Sequence, residues 1–282
     1  MKKDQKPNLY CIKGGVGKHL QFTPLLKPLF EKHQQKLLIN SAYPEIFKSC
    51  PEVADSQYSF VEVFKGGNYF NKYDNLFFHD PYESNFLKES SHVVEEWANL
   101  FEVTVEDFRP DYTINPAVEK TLLPNISKLN NFILLQFTGG QGVQTNAYDF
   151  DNMGRNYKYG QELINLLQEA FPSFFFIVFG HDNEKPEYVG ETCFNDKGGA
   201  PLFKTREHFM ILAKYCKYFI CIDSALQHIC SNRSFNNSKG IVLWGKTQPE
   251  RFGYKENINM QSEYPNCVEI EPKKIVDELI KI

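Results

Sequence analysis

Two stretches of this chain share one pattern, a short apolar run that stops at a glycine-rich turn. The first is Leu9-Tyr10-Cys11-Ile12, followed by Gly14-Gly15-Val16-Gly17. The second is Phe132-Ile133-Leu134-Leu135-Gln136-Phe137, followed by Thr138-Gly139-Gly140-Gln141-Gly142. Such runs have the length and composition of strands buried on both faces, as in a parallel sheet. After the first turn, Leu20, Leu25, Leu26, Leu29 and Phe30 form the apolar face of a predicted helix. Pro24 suits its first turn, whereas Pro28 predicts a kink or a late start. Further strands are predicted over 36–39 and 76–78. After the second turn, strands at 174–179, 218–222 and 241–244 alternate with helices at 160–170, 207–215 and 273–280. Strand–helix alternation of this kind folds as parallel sheets with crossover helices. The expected class is therefore α/β, with two Rossmann-like lobes, residues 1–125 and 126–282, facing a central cleft. Residues 115–131, with Pro116, Pro124 and several Asn, read as the linker.

Composition removes several alternatives. The formal net charge of −4 gives no electrostatic case for a nucleic-acid partner. No apolar run approaches the roughly 18 residues of a spanning helix, and the charged N-terminus carries no apolar segment of a signal peptide, so the expected location is the cytoplasm. The seven cysteines are scattered without a CxxC pair, which predicts free thiols and no zinc site. His79-Asp80, His92 with Glu95 and Glu96, and His181-Asp182 lack a full ligand set, and solvated loops and helix faces account for them. The aromatics Tyr58, Phe60, Phe64, Tyr69, Phe70 and Tyr73 suit either an acceptor groove or the packing of a loop.

The chemistry concentrates after the strand Ile220-Cys221-Ile222, at Asp223-Ser224-Ala225-Leu226-Gln227-His228. Ser224 followed three residues later by Gln227 is a capping-box pattern, which predicts a helix starting at Ala225. The unpaired N–H groups and the dipole of a helix start favour an anion such as a diphosphate. Ser224 adds a hydroxyl, and His228 lies one turn on, within reach of Asp223 or a phosphate oxygen. The plainer alternative is that Ser224 and Gln227 cap the helix and His228 is a satisfied core histidine.

This hexapeptide resembles the D-[ST]-G-x-x-H signature of the heptosyltransferase-like glycosyltransferases, glycosyltransferase family nine. Val242 to Arg251 is similar to that family's V-x-L-F-G-x-T-x-P-x-R segment, and Gly14 to Pro24 with Leu25-Leu26 resembles its G-x-G-D-x-x-x-x-T-P-x-L opening. Tyr43-Pro44-Glu45, Cys50-Pro51-Glu52-Val53 and Arg155-Asn156-Tyr157-Lys158 resemble further elements, in the same order along the chain. The resemblance implies a GT-B fold, a nucleotide-sugar donor (an ADP-linked heptose among the candidates) on the C-terminal lobe, and an acceptor on the N-terminal lobe. It implies transfer with inversion and no bound metal or other cofactor. Ser224, the Ala225 amide and His228 would hold phosphate beside Asp223 and Gln227. Thr138, Gly139 and Thr247 would line the nucleotide pocket, and Arg155 or Lys158 would neutralise the departing diphosphate. Gly15, Gly17 and Lys18 would lie on the acceptor side.

One departure bears on catalysis. Where the family's opening has an Asp after its second glycine, this chain has Lys18, followed by His19. A lysine is protonated near pH 7 unless strongly desolvated, so it does not inherit the role of a base. His19 has a suitable unperturbed pKa, Asp80 is a carboxylate alternative, and Lys18 suits an anionic acceptor. A catalytically inactive nucleotide-sugar-binding module is a second reading. A third is a ParA-like ATPase, because Lys13-Gly14-Gly15-Val16-Gly17-Lys18 resembles a deviant Walker A loop. Against the ATPase, position 19 is His where a magnesium-binding hydroxyl belongs, and the first half has no second Asp motif at a strand end.

Overall fold

In the computed structural model, which describes residues 8–57, 76–83, 91–139, 156–179, 193–195, 205–235, 239–245, 247–263 and 269–282, the chain divides into two units, Met1–Asn115 and Pro116–Ile282. The first unit opens with β1 (Leu9–Ile12), buried along its whole length. Its carboxyl end runs through Gly14, at φ 99°, a left-handed conformation that glycine adopts without a steric penalty. Helix α1 (Val16–Phe22) follows, then a 3₁₀ turn (Thr23–Leu25) and α2 (Leu26–His33). The two prolines account for the interruption: Pro24 lies in the first turn of the 3₁₀ segment, and Pro28 lies in the first turn of α2, where its missing N–H costs no helical hydrogen bond. Then come β2 (Leu37–Ser41), β3 (Val53–Gln57), β4 (Leu76–Phe77) and helix α3 (Val93–Leu100). The sheet order is β3-β2-β1-β4, and every pairing is parallel. Aromatic rings fill the core on one face: Tyr10 stacks on Phe77 with centroids 4.7 Å apart, and the ring of Phe22 meets Trp97 edge-on at 5.4 Å. Fully burying side chains of this size contributes about 1.5–3 kcal/mol each, offset by ordering entropy.

The second unit begins with a correction. Residues 115–131 are not an open linker: Pro116–Ile126 is a helix, α4, followed by a 3₁₀ turn, Ser127–Leu129. Pro116 occupies its first position, where a proline suits a helix. Leu122 and Ile126 are buried, and Glu119 accepts hydrogen bonds from Lys214 at 2.5 Å and Tyr215 at 2.6 Å. Those contacts fasten α4 within the unit. The chain continues through β5 (Phe132–Gln136), α5 (Gly160–Ala170), β6 (Phe175–Phe179), β7 (Cys193–Asn195), α6 (Arg206–Tyr215), β8 (Tyr218–Ile222) and α7 (Ala225–Cys230). It closes with β9 (Lys239–Trp244), α8 (Pro249–Phe252), β10 (Ile258–Gln261) and α9 (Pro272–Ile280).

This second sheet has the order β10-β9-β8-β5-β6-β7, again with every pairing parallel. Alternate residues of the central strands, among them Ile133, Leu135, Phe176, Val178, Ile220 and Leu243, share a core with Leu163 and Leu167 of α5 and Ile275 and Leu279 of α9. Where β8 and β9 pair, Gly240 lies opposite Phe219, and a Cβ at 240 would come within 1.9 Å of that ring. The described cysteines Cys11, Cys50, Cys216, Cys221 and Cys230 are free and buried, and burial pushes the Cys11 and Cys50 thiols up to about 12. Among the described residues no helix is long and apolar enough to cross a membrane, and no group of three or more His, Cys, Asp or Glu is placed to hold a metal ion.

Both sheets contain a topological switch point. In the first, the chain leaves β1 toward β2 and β3, then returns to place β4 on the other side of β1. In the second, it leaves β5 toward β6 and β7, then returns to place β8 against β5. Loops that leave adjacent strands in opposite directions open a crevice at the carboxyl edge, which is where open α/β sheets bind ligands.

Candidate functional site

In the second unit, the switch point lies between the carboxyl ends of β5 and β8. Gln136 ends β5 and Asp223-Ser224 follows β8. The Oε1 atom of Gln136 accepts hydrogen bonds from Ser224 Oγ at 2.7 Å and from the Leu226 N–H at 3.2 Å, and its Nε2 donates to Thr138 O at 3.1 Å. Leu226 is the second residue of α7, so a side chain from the neighbouring strand performs the capping. This corrects the capping box. Ser224 is the N-cap residue with extended backbone, but its hydroxyl makes no capping hydrogen bond. The side chain of Gln227 turns to Asp223 Oδ1, at 2.8 Å, rather than back to Ser224.

Asp223 is itself buried and joins three segments. Its N–H donates to Leu243 O at 3.1 Å, Oδ1 takes Gln227, and Oδ2 accepts from Thr247 Oγ1 at 2.7 Å. The carboxylate therefore fixes the loop after β9 to the start of α7. His228 is buried, and its Nδ1 lies 2.7 Å from Tyr254 Oη. The Thr138–Asn156 bridge brings the turn after β5 beside the segment that leads into α5. Lys158 lies exposed in that segment, while Gly139 and Thr138 are buried. Arg155, Gly140, Gln141 and Gly142 fall outside the described residues, as do Tyr58, Phe60, Phe64, Tyr69, Phe70, Tyr73, His181 and Asp182.

The first unit has its polar group at its own switch point, between the ends of β1 and β4. Lys18, in the first turn of α1, reaches Asp80, just past β4. Its Nζ lies 2.5 Å from both Oδ1 and Oδ2, and the two side chains are only 12% and 14% exposed. Asp80 Oδ1 also accepts from the Tyr82 N–H at 3.0 Å. The ammonium rests 4.4 Å from the centroid of the Tyr82 ring, a favourable cation–π geometry. These groups border a pocket lined by Lys13, Lys18, Phe78, His79, Asp80 and Trp97, among others.

His19 does not face this pocket chemistry as a base. It is fully buried, with Nδ1 2.9 Å from Gly15 O and Nε2 3.1 Å from Ile12 O. Burial lowers its pKa to about 4. Both ring nitrogens meet main-chain carbonyl oxygens, so neither presents a lone pair to a substrate hydroxyl. The ring instead ties α1 back to β1. Gly15 is exposed at the N-cap of α1, and Gly17 lies within the helix. His92, weighed as a metal ligand, caps α3 by accepting the Val94 N–H at 3.2 Å and stacks on Phe108.

Sequence reasoning missed Gln136, Tyr82 and Tyr254 as members of these clusters. Gln136 left one signal, a polar residue near the end of an otherwise apolar strand. Tyr254 left none, because its role depends on the ring of His228 brought to it by the fold.

Two parallel-sheet α/β units in tandem, each with polar side chains gathered at a switch point, define a GT-B class of fold. No family model matches the sequence, and no curated protein matches it. Solved structures do. A glycosyl transferase family 9 protein from Veillonella parvula aligns over 100% of this chain and 98% of its own, at TM-score 0.64 and 11% identity. The E. coli ADP-heptose lps heptosyltransferase II aligns over 98% of both chains, at TM-score 0.66 and 13% identity. The E. coli heptosyltransferase WaaC with ADP aligns over 98% of this chain and 99% of its own, at TM-score 0.62 and 11% identity. The chain thus has the fold of the family 9 heptosyltransferases from end to end.

Proposed function

We propose that this protein is a glycosyltransferase that moves a sugar from a nucleotide-sugar to an acceptor with inversion and without a metal. In this reading, the unit Pro116–Ile282 holds the donor at the β5–β8 switch point and the unit Met1–Asn115 holds the acceptor. The observation that carries the reading is the polar assembly of Gln136, Asp223, Ser224 and Thr247 at the start of α7, in a chain whose fold matches those enzymes along its length. Two of the matched structures bind ADP or an ADP-linked heptose analogue, and an ADP-linked heptose is accordingly the first donor to test here.

Residue roles follow from the chemistry of a leaving diphosphate. Ser224 and the Ala225 N–H contact phosphate, with His228 set behind them by Tyr254. Thr138, Gly139 and Thr247 border the nucleotide. Lys158 and Arg155 offset the charge that develops on the leaving group, an effect that fixed donors and cations supply without reorganising during the reaction. The test is a thermal-shift panel of nucleotide-sugars, with and without magnesium. A true donor at about a hundred times its Kd stabilises the fold by roughly 2.7 kcal/mol, and Ser224→Ala reduces that shift. The reading fails if no nucleotide-sugar raises the melting temperature, or if ATP with magnesium alone does so. Donor binding without transfer or hydrolysis identifies an inactive binding module.

A further inference from the structure

His228 and Tyr254 form a buried pair within the second unit, and the hydrogen bond between them has a direction. Nδ1 of His228 lies 2.7 Å from Tyr254 Oη, and the two rings meet edge-on with centroids 5.6 Å apart. We infer that Tyr254 Oη donates to Nδ1 and so holds His228 in the tautomer that carries its proton on Nε2, the form that offers an N–H to the diphosphate of a nucleotide-sugar. Tyr254 is then a positioning residue for nucleotide-sugar binding. This inference rests on the glycosyltransferase reading and adds the residue that sets the hydrogen-bonding character of His228.

The chemistry of the two groups sets the direction. A neutral imidazole has one N–H donor and one acceptor nitrogen, and the hydrogen bond made by one nitrogen decides the role of the other. A phenol O–H is a far stronger acid than the N–H of a neutral imidazole, and an imidazole nitrogen is a stronger base than a phenol oxygen. The shared proton therefore belongs to the oxygen, in an O–H···N bond. A separation of 2.7 Å suits a hydroxyl donor, since N–H donors commonly stand at about 2.9–3.0 Å. With Nδ1 accepting from Tyr254, a ligand meets the ring through Nε2 and finds an N–H there. Phosphate oxygens are acceptors, so this tautomer binds them without the ring gaining a charge. The other tautomer would turn a lone pair toward them.

The surrounding fold fixes Tyr254 in this place. Its main-chain oxygen accepts from Asn259 Nδ2 at 2.9 Å and from the Asn257 N–H at 3.2 Å. Asn259 Oδ1 accepts in turn from Trp244 Nε1 at 2.9 Å, and Asn257 Nδ2 donates at 3.0 Å to the hydroxyl of Ser231, the C-cap residue of α7. The loop that carries Tyr254 is thus fastened to β9, to β10 and to the helix that carries His228. Gly253, just before it, passes where a side chain has no room. A Cβ there would come within 2.7 Å of Pro249 O and 2.8 Å of the Trp244 ring. His228 stands four residues after Ser224, one helical turn on, and residues at that spacing share a face. A phosphate held by Ser224 is therefore approached by the ring of His228 from one turn behind.

The experiment is long-range ¹H–¹⁵N correlation NMR of the full chain, labelled with ¹⁵N at histidine, at about pH 8, where an ordinary histidine is neutral. The His228 signals are identified by their loss in His228→Gln. A pyrrole-type Nε2 and a pyridine-type Nδ1 are expected in the native chain. Tyr254→Phe keeps the ring and removes the hydroxyl, and it is expected to show both tautomers while circular dichroism stays unchanged. ADP, UDP and GDP are the ligand probes, titrated by calorimetry and followed in the same spectra. The nucleoside diphosphate that binds is expected to shift Nε2, and Tyr254→Phe is expected to weaken it about three- to tenfold, the span of one neutral hydrogen bond. The native spectrum decides the tautomer even where Tyr254→Phe fails to fold. A pyrrole-type Nδ1 in the native chain, an unmixed Nε2–H form in Tyr254→Phe, or a nucleoside diphosphate that binds without moving Nε2 or binds native and variant equally overturns the inference and leaves the glycosyltransferase reading standing. Absence of binding by all three nucleoside diphosphates overturns the inference as well, and the thermal-shift panel of nucleotide-sugars then decides separately whether the glycosyltransferase reading falls with it.

Discussion

Replacing Gln136 by Met tests whether the donor-side assembly is held by a strand side chain. Methionine nearly preserves length and volume, so the change removes hydrogen bonds without opening a cavity. Three are lost: from Ser224 Oγ, from the Leu226 N–H and to Thr138 O. A lost helix cap costs about 1 kcal/mol, and each further intramolecular hydrogen bond about 0.5–1.5 kcal/mol. Gln136 is half-buried, so water recovers part of this, and the expected total is about 1–3 kcal/mol. For a domain of this size that corresponds to a fall of roughly 2–10 °C in Tm. Urea unfolding followed by circular dichroism gives the free energy, and a cycle with Ser224→Ala isolates the shared bond. Because the two residues touch, the cycle should show a coupling of about 0.5–1.5 kcal/mol. An unchanged Tm, or effects that add within about 0.3 kcal/mol, would refute the proposed capping.

Other expectations follow from single contacts. His19 has a folded pKa near 4 against about 6.5 unfolded, so the unfolded chain binds the extra proton between these values. The stability tied to this ring is fully present above about pH 6.5 and is lost as pH falls toward 4, by at most about 3 kcal/mol. Urea midpoints at pH 7 and pH 4.5 measure the loss, and His19→Gln should flatten the slope between them. Gly240→Ala forces a methyl group into the Phe219 ring and should cost about 1–3 kcal/mol or more. Adding Phe219→Leu should restore part of that stability, and a double variant no more stable than Gly240→Ala would contradict the packing.

The central strands were legible because their burial on both faces leaves an uninterrupted apolar run, as in Phe132 to Leu135 and Tyr218 to Ile222. The edge strands β3 and β10 were not. Val53–Gln57 and Ile258–Gln261 lie at the margins of their sheets and carry polar residues along their length. Helix α4 was misread because Pro116 and Pro124 look like breakers, yet a proline at the first helical position is a start signal. The start of α7 at Ala225 was readable from Ile222-Asp223-Ser224, a strand ending in polar residues. What fixes that start was not readable, since Gln136 is 88 residues away from Ser224. The same limit hid Asp80 as the partner of Lys18. Periodicity reports which face of an element is buried, but a contact between two loops exists only once the strand order is set.

The two switch points follow one design with different polar groups. Each joins a residue associated with the central strand that comes first in the chain to a residue beyond the strand that returns beside it. At β5 and β8 an amide meets a hydroxyl and a helix N–H, and the Asp223 carboxylate is engaged by Gln227 and Thr247. Among the described residues there, that carboxylate is the one group that opposes an incoming anion, and the dipole at the start of α7 favours one. At β1 and β4 the junction is an ion pair whose charges cancel locally. Lys18 and Asp80, 62 residues apart in sequence, meet at the same edge of the sheet. Both junctions arise through pairings that neither sequence segment encodes alone.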